Sequence, residues 1–377
     1  MILNSGILNG KSPLEKIKGE VEVEDFSFAE NIYLSSVDFN LQIKAAIETQ
    51  KPDLIILDHF YVPPAIQEAN IPWLLQFSSN PLAILNSTDL PPCTSGYPTT
   101  KEGPEDEKLW AEFRRYQDLS RDAFIKYQRK LYDHFGYQVN EAEDMPLPGG
   151  FFPQCKYGYI YGYPAELDYD DLMDISEHFI RMDTFCRDED SLSTTFKLPE
   201  GFANESNKLI YFSLGSMGSA DVELVKRVTS ILSSKTPYKT IVSKGPLADE
   251  YELPENCWGE EYLPQTQILP LVDLVITHGG NNTVTETFSF GKPMIIMPLF
   301  GDQYDNAQRL TEKGFGRRLE TYKFKDQELV DAVEALINDR QLKEKLEAAA
   351  KRIATAGSKE KACIKIEAVV EQFRTSV

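Results

Sequence analysis

Residues 273–303 read DLVITHGGNNTVTETFSFGKPMIIMPLFGDQ, and this stretch indicates the fold class. Leu274 to Ile276 is a short, apolar, β-branched run, which is typical of a buried parallel strand. Gly279 and Gly280 follow it and permit a tight turn into a helix. Met294 to Met297 is a second apolar run, and an acidic loop comes after it. The stretch therefore predicts two parallel strands joined by a helix.

Polar residues follow both predicted strands where each strand ends. His278 follows the first strand, and Asp302 with Gln303 follows the second. In doubly wound sheets, ligands bind outside the carboxyl ends of the strands. Free backbone amides at a helix start, together with the helix dipole, attract phosphate. We therefore expect a phosphorylated ligand here, with its hydroxyl groups at the Asp-Gln pair. The alternative is an ordinary turn in which Thr283 and Glu286 form a T-x-x-E capping box.

The segment from Tyr262 to Gln303 resembles the donor-binding region of the UDP-glycosyltransferases, which are inverting enzymes of the GT-B fold. It contains, in order, Y-L-P-Q, H-G-G-N-N-T-x-x-E, G-K-P and P-x-x-x-D-Q. It is more similar to the animal and bacterial branches than to the plant branch, because two glycines follow His278. The family usually has tryptophan at the position of Tyr262. A tyrosine ring can also stack on a base, although it offers less area.

The resemblance implies a role for each polar residue of this region in binding a UDP-sugar. Carboxylates accept hydrogen bonds from hydroxyl groups, amides both donate and accept, and an imidazole can donate to an anion. Ser216, in Y-F-S-L-G-S, would touch a phosphate, unless it is a plain turn serine. The remaining implied contacts are with uracil for Tyr262 and the backbone near Gln265, with the diphosphate for His278, Asn282 and Thr283, with ribose for Glu286, and with the sugar for Asp302 and Gln303. Gly280 is also implied to belong to the donor-binding site.

Transfer of the sugar also requires a base that takes a proton from the acceptor hydroxyl. In the family this base is a histidine after the first N-domain strand, and an aspartate orients it. Asp58, at the end of K-P-D-L-I-I-L-D, resembles that aspartate; the alternative is that it caps the next turn. No residue matches the histidine, because residues 1–37 read as loop and short strand. His59 is disfavoured as a substitute, since neighbours on a strand face apart.

The position of Asp58 leads us to expect an incomplete N-terminal domain. In the family it belongs to about the fourth strand, and three strand–helix units of about 30 residues would place about 90 residues before it. Here 57 residues precede it. We expect an α/β chain of the GT-B type, with two Rossmann-like doubly wound domains facing a cleft. The predicted parts are a truncated acceptor-side domain (1–190), a linker (191–206), a donor-binding domain (207–357) and a helix that crosses back (358–377).

Composition agrees with two globular domains and excludes several classes of protein. The chain has 377 residues, 42% of them hydrophobic and 26% charged. A net charge of −20 argues against nucleic acid and anionic lipid as partners. The apolar runs are too short to span a membrane, and the start lacks a signal peptide pattern, so we expect a soluble, cytoplasmic protein. Five scattered cysteines without a C-x-x-C pair indicate neither a disulfide framework nor a zinc site.

The sequence therefore predicts a UDP-glycosyltransferase that transfers a hexose, expected to be glucose, to a small lipophilic acceptor hydroxyl with inversion, as in detoxification. The UDP-sugar is a co-substrate, and we expect neither a cofactor nor a metal. The alternative is a UDP-sugar-binding pseudoenzyme or truncated isoform without the catalytic histidine. A GT-B relative such as an epimerase, or an unrelated doubly wound protein, is a weaker third hypothesis. A nicotinamide site is disfavoured because no G-x-G-x-x-G follows a strand.

Overall fold

The computed structural model describes residues 10–23, 26–146, 150, 152–186, 196–202 and 207–376. These residues form two compact units. The four-stranded unit holds the described residues within Ser12–Gly162, Asp168–Met182 and Gly357–Val377. The six-stranded unit holds those within Met1–Lys11, Tyr163–Leu167 and Asp183–Ala356. Each unit is therefore assembled from segments that are separate in the sequence.

The four-stranded unit contains a parallel sheet of order β1-β2-β3-β4. Its strands are β1 (Ile55–Leu57), β2 (Trp73–Phe77), β3 (Tyr159–Gly162) and β4 (Phe179–Met182). Leu57, Trp73 and Leu75 are buried in one hydrophobic cluster with Val62 and Ile66. The helices before β4 are α1 (Pro13–Glu22), α2 (Ser27–Gln50), α3 (Pro64–Glu68), α4 (Leu82–Leu85), α5 (Pro104–Phe135) and α6 (Glu141–Asp144).

The prediction of loop and short strand for residues 1–37 is wrong where the structure describes them. Residues 1–9 and 24–25 lie outside the described residues. The rest form α1 and the beginning of α2. A capping box starts α1: the Glu15 amide donates to Ser12 Oγ at 3.3 Å, and the Ser12 amide donates to Glu15 Oε2 at 2.7 Å. Pro13 suits the first helical position, and Ile17 is buried. The sequence S-P-L-E was therefore a helix-start signal.

The acidic segment of residues 168–186 contains a strand that its own sequence does not indicate. Phe179–Met182 forms β4 and pairs in parallel with β3, with Ile160 opposite Ile180. Acidic residues around this short strand obscure its apolar alternation. The strand is stabilised by its pairing with β3 rather than by its own sequence pattern. Residues 187–195 and 203–206, which include most of the predicted linker, lie outside the described residues.

The six-stranded unit contains a parallel sheet of order β10-β9-β8-β5-β6-β7. Its strands are β5 (Leu209–Ser213), β6 (Lys239–Ser243), β7 (Cys257–Glu260), β8 (Leu274–Thr277), β9 (Met294–Ile296) and β10 (Gly316–Arg318). Its helices are α7 (Gly215–Gly218), α8 (Val222–Lys235), α9 (Gln265–Ile268), α10 (Asn281–Ser289), α11 (Gln303–Glu312), α12 (Asp326–Asn338) and α13 (Arg340–Thr355), with single 3₁₀ turns at Ala248–Glu250 and Leu269–Leu271. All residues of β5, β8 and β9 are buried, as expected when both faces of a parallel sheet are covered.

An ion-paired cluster joins separate segments of the six-stranded unit. Arg352, near the end of α13, donates to Glu166 from Nε at 2.6 Å and from Nη2 at 2.7 Å. Nη2 also lies 2.6 Å from Asp183 Oδ1. Hydrogen bonds to Glu166 and Asp183 raise the pKa of Arg352 above its ordinary value. A single guanidinium therefore holds the two segments that carry Glu166 and Asp183.

The last helix, α14 (Ser358–Ser376), belongs to the four-stranded unit. Phe373 meets Tyr157 edge to face with 5.9 Å between ring centroids, and Arg374 pairs with Asp53 at 2.9 Å. Within the described part of the chain, none of the helices combines the length and apolarity needed to cross a bilayer.

Candidate functional site

Three strand ends meet at the centre of the six-stranded sheet. Ser213 at the end of β5 lies opposite Thr277 of β8, and Thr277 lies opposite Ile296 of β9. Because the strands are parallel, the loops that follow them emerge at the same edge. These loops carry the predicted ligand residues Ser216, His278 and Asp302.

The His278 imidazole lies between two glycines. A Cβ on Gly215 would come within 2.8 Å of the ring atom Cε1, and a Cβ on Gly280 within 2.6 Å of Nε2. Gly215 also has a φ of +69°, which other residues rarely adopt. The ring fits only because both positions lack a side chain. Residue 215 lies far from His278 in the sequence, so its role could not be read from the H-G-G motif.

Burial lowers the pKa of His278 to about 4, and a hydrogen bond with the Ser213 backbone raises it in part. The ring is therefore neutral near pH 7, with one N–H and one acceptor nitrogen. Thr277 Oγ1 lies 3.2 Å from Nδ1. A neutral imidazole recognises an anion by a hydrogen bond rather than by net charge.

The start of α10 is uncapped by a side chain, because its N-cap is Gly280. Thr283 is the third helical residue and not the N-cap, so the alternative of a T-x-x-E capping box is wrong. Asn282 is exposed in the first turn, and Thr283 is partly exposed. The first-turn amides of such a helix form a site for an anion.

Gln265 and Glu286 are in direct contact beside this helix start. Gln265 Nε2 donates to Glu286 Oε2 at 2.5 Å and lies 3.4 Å from Thr283 Oγ1. The sequence suggested a role for the backbone near Gln265; the structure shows that its side chain holds one oxygen of Glu286. Tyr262, which precedes Gln265 by three residues in the sequence, is 65% exposed and is therefore accessible for stacking.

The loop after β9 is organised by Gln303, which is 3% exposed. Its Oε1 accepts from the Leu299 amide at 2.9 Å and from the Phe300 amide at 3.1 Å. Since both acceptor sites of this oxygen serve the loop itself, only the Nε2 hydrogens of Gln303 are suited to a ligand hydroxyl. The sequence had suggested that Asp302 and Gln303 together would accept hydrogen bonds from the sugar hydroxyls and donate hydrogen bonds to them.

Sequence reasoning missed Asn306 in α11. Asn306 is fully buried, and its Nδ2 lies 2.9 Å from the Gly279 carbonyl oxygen and 3.3 Å from Asp302 Oδ2. It therefore contacts both turns that carry predicted ligand residues. The available signal was its spacing of four from Asp302, which places both residues on one side of a helix.

The remaining two predicted residues are exposed. Ser216 lies in α7, after β5. Asp58 follows β1 in the four-stranded unit, and the next helix, α3, begins only at Pro64, so Asp58 does not cap it. Among the described residues no histidine ring bonds to Asp58. The neighbouring His59 instead lies 3.1 Å from the Tyr61 backbone through Nδ1.

The chain is similar to known proteins in sequence over its C-terminal half. Residues 166–351 match the model of the family described as UDP-glucoronosyl and UDP-glucosyl transferase. A human relative, UDP-glucuronosyltransferase 1A6, is 34% identical over 165 residues, which are 43% of this chain and 30% of that protein. The aligned part thus spans less than a third of the relative's length.

Solved structures are similar over most of the chain. The glycotransferase of kitacinnamycin aligns with a TM-score of 0.65 at 21% identity, over 90% of this chain and 81% of that one. The glycosyltransferase VinC, in complex with DTDP, aligns with a TM-score of 0.56 at 15% identity, over 92% and 81%. At these identities the likeness concerns the fold, and it confirms the GT-B fold predicted from the sequence.

Proposed function

We propose that this chain, whose residues 166–351 match the model of the UDP-glucoronosyl and UDP-glucosyl transferase family, binds a UDP-sugar at the carboxyl edge of its six-stranded sheet and transfers the sugar to an acceptor hydroxyl. One observation carries the proposal: the loops after β5, β8 and β9 bring together a neutral histidine, an uncapped helix start and an acid–amide pair. The histidine and the helix start match the diphosphate of a UDP-sugar, and the acid–amide pair matches its sugar.

The diphosphate would lie at the start of α10. The first-turn amides and the helix dipole favour an anion there, and the His278 ring sits beside them. Ser216 extends from the neighbouring strand end and adds a hydroxyl donor. The glycosyltransferase VinC shares this fold, and its structure is a complex with DTDP. It is therefore a precedent for a nucleoside diphosphate ligand in this fold.

The uridine would extend from the diphosphate towards Tyr262. The uracil ring would stack on the exposed Tyr262, and Glu286 would accept hydrogen bonds from the ribose hydroxyls. The hydrogen bond from Gln265 supports this role, since it fixes the orientation of the carboxylate. The sugar would lie on the other side of the diphosphate, with Asp302 accepting from its hydroxyls and Gln303 Nε2 donating to them.

The donor is proposed to be a hexose, with glucose favoured by the resemblance at Gln303, and the acceptor a small lipophilic alcohol or phenol. The curated relatives are named as glucuronosyltransferases, so UDP-glucuronic acid is the main competitor. The proposal includes no metal ion, because backbone amides and His278 would face the charge of the leaving diphosphate.

A UDP-sugar-binding pseudoenzyme is the second candidate, and one observation favours it. Transfer needs a base beside the acceptor hydroxyl, and no histidine among the described residues is hydrogen bonded to Asp58. His178 Nε2 lies 2.6 Å from the Cys155 carbonyl oxygen, and His59 contacts the Tyr61 backbone. Donor binding without transfer would then be the activity of this chain.

Calorimetric titration with UDP and with UDP-glucose tests donor binding. We expect saturable binding, and a loss of affinity of at least tenfold in His278→Ala, since a hydrogen bond to a charged group is removed. His134→Ala is the matched control, because that histidine is exposed at the end of α5 in the other unit. Equal affinities for wild type and His278→Ala would overturn the diphosphate assignment.

Incubation with a panel of phenols distinguishes the two candidates. UDP-glucose and UDP-glucuronic acid are supplied in parallel, and glycoside formation is followed by mass spectrometry. Product that is lost in Asp58→Ala and retained in Asp133→Ala, an exposed control, supports transfer. Tight donor binding with no product from any acceptor supports the pseudoenzyme instead.

A further inference from the structure

Asn306 connects the two turns of the proposed donor site. Its Nδ2 donates to the carbonyl oxygen of Gly279, in the turn after β8, at 2.9 Å. The same nitrogen lies 3.3 Å from Oδ2 of Asp302, in the loop after β9. The side chain is fully buried, so water does not compete for either hydrogen.

The geometry of a primary amide makes this link specific. The NH₂ group carries two hydrogens in fixed directions, and here each direction has an acceptor. One acceptor belongs to the turn proposed for the diphosphate and the other to the carboxylate proposed for the sugar. A single side-chain nitrogen therefore joins these two ligand groups.

Close packing of the same two turns strengthens the link. Gly279 has a φ of +88°, and a Cβ there would lie 2.5 Å from Ile296 Cγ2 and 3.4 Å from the Gln303 carbonyl oxygen. The backbone of the first turn thus touches residues of the second. With no side chain between them, a change in the hydrogen bonds of Asn306 is transmitted directly from one turn to the other.

We infer that Asn306 is a positioning residue, which touches no substrate and holds Asp302 at the distance from the His-Gly-Gly turn that a nucleotide sugar requires. The inference rests on the proposed function. UDP alone uses the turn after β8, whereas a UDP-sugar also uses Asp302. Loss of the Asn306 donors therefore weakens the binding of UDP-sugar more than the binding of UDP.

The test is a comparison of two affinities in Asn306→Asp. This substitution keeps the shape of the side chain, but it removes the donors and places a second carboxylate beside Asp302. We expect the Kd of UDP-glucose to rise by about tenfold or more, and by a larger factor than the Kd of UDP. Gln308→Ala, on the same helix with contacts to Glu312 and Arg318, is the control and should leave both values unchanged.

The ratio of the two affinities separates positioning from general damage. An unfolded fraction lowers the number of sites and leaves the ratio of the two Kd values intact. If wild type binds both ligands and Asn306→Asp weakens them equally, the inference is overturned and the proposed function stands. If wild type binds neither ligand, the proposed function itself fails, and the inference fails with it.

A second measurement covers the case in which Asn306→Asp does not fold. A crystal structure of the wild-type protein with UDP-glucose should show Asp302 bonded to Asn306 through one oxygen and within hydrogen-bonding distance of a sugar hydroxyl. An Asp302 side chain that leaves Asn306 when the sugar binds would overturn the inference.

Discussion

The side chain of Gln265 holds one oxygen of the Glu286 carboxylate at 2.5 Å. The two residues come from different elements, α9 and α10. A carboxylate with one oxygen fixed has a defined direction for its second, which suits the recognition of a diol.

Replacement of Gln265 by leucine should therefore weaken the recognition of ribose. The apolar side chain has a similar size and cannot donate, so Glu286 loses its fixed orientation. We expect UDP affinity to fall by roughly tenfold and the preference for UDP over 2′-deoxy-UDP to narrow. Calorimetry with both ligands measures this, and an undiminished preference for UDP would contradict the proposed contact.

Acidification should destabilise the six-stranded unit through His278. The folded pKa is about 4, below the ordinary value of 6.5, so the unfolded chain binds the proton first as the pH falls. Stability from this group is complete above pH 6.5 and is lost between pH 6.5 and 4, by roughly 2–3 kcal/mol.

Urea unfolding at several pH values measures this effect. His278→Gln lacks the titrating group, so its stability should decline less steeply between pH 6.5 and 4 than that of wild type. Carboxylates titrate in both proteins and cancel in the comparison. Parallel pH profiles for the two proteins would show that the imidazole is not held neutral by burial.

Loss of the Arg352 cluster should lower the free energy of unfolding. Arg352→Met keeps the length of the side chain but leaves the Glu166 and Asp183 carboxylates without their cation, and Asp183 is buried. Since the guanidinium itself is partly exposed, we expect a loss of about 1–3 kcal/mol. Arg340→Met, at the exposed first residue of the same helix, should change the urea midpoint little. Equal midpoints for the two variants would contradict the role of the cluster.

Chelation should leave donor binding unchanged. In the proposed site, backbone amides of α10 and the His278 ring face the diphosphate, and no step requires a cation. Titrations with UDP in excess EDTA and in Mg²⁺ should give the same Kd within about threefold. A clear loss of affinity on chelation would point to a metal bridge that the proposal lacks.

Elements with a complete local pattern could be predicted to within about one residue. The predicted strands at Leu274 to Ile276 and Met294 to Met297 are β8 (Leu274–Thr277) and β9 (Met294–Ile296), because each apolar run is bounded by turn residues in the sequence. The positions of the predicted ligand residues after β5, β8 and β9 follow from the same rule, since parallel strands share a carboxyl edge.

Features that depend on distant residues could not be predicted. β4 became a strand through its pairing with β3, although its sequence neighbours are acidic. Likewise, the contact of Gly215 with His278 and the contact of Asn306 with Gly279 join residues from different strand–helix units. The α1 helix is a different case. The sequence S-P-L-E contains the capping box and the proline of a helix start, so this helix could have been predicted from local sequence.

The segmented assembly of the six-stranded unit has a practical consequence for dissecting the protein. A recombinant fragment cut at the start of β5 and the end of α13 would contain the whole six-stranded sheet, yet it would omit Glu166 and Asp183 and leave Arg352 without both carboxylates. A fragment that begins at Tyr163 retains both carboxylates, but it also carries β4 of the four-stranded unit without the partner strand β3.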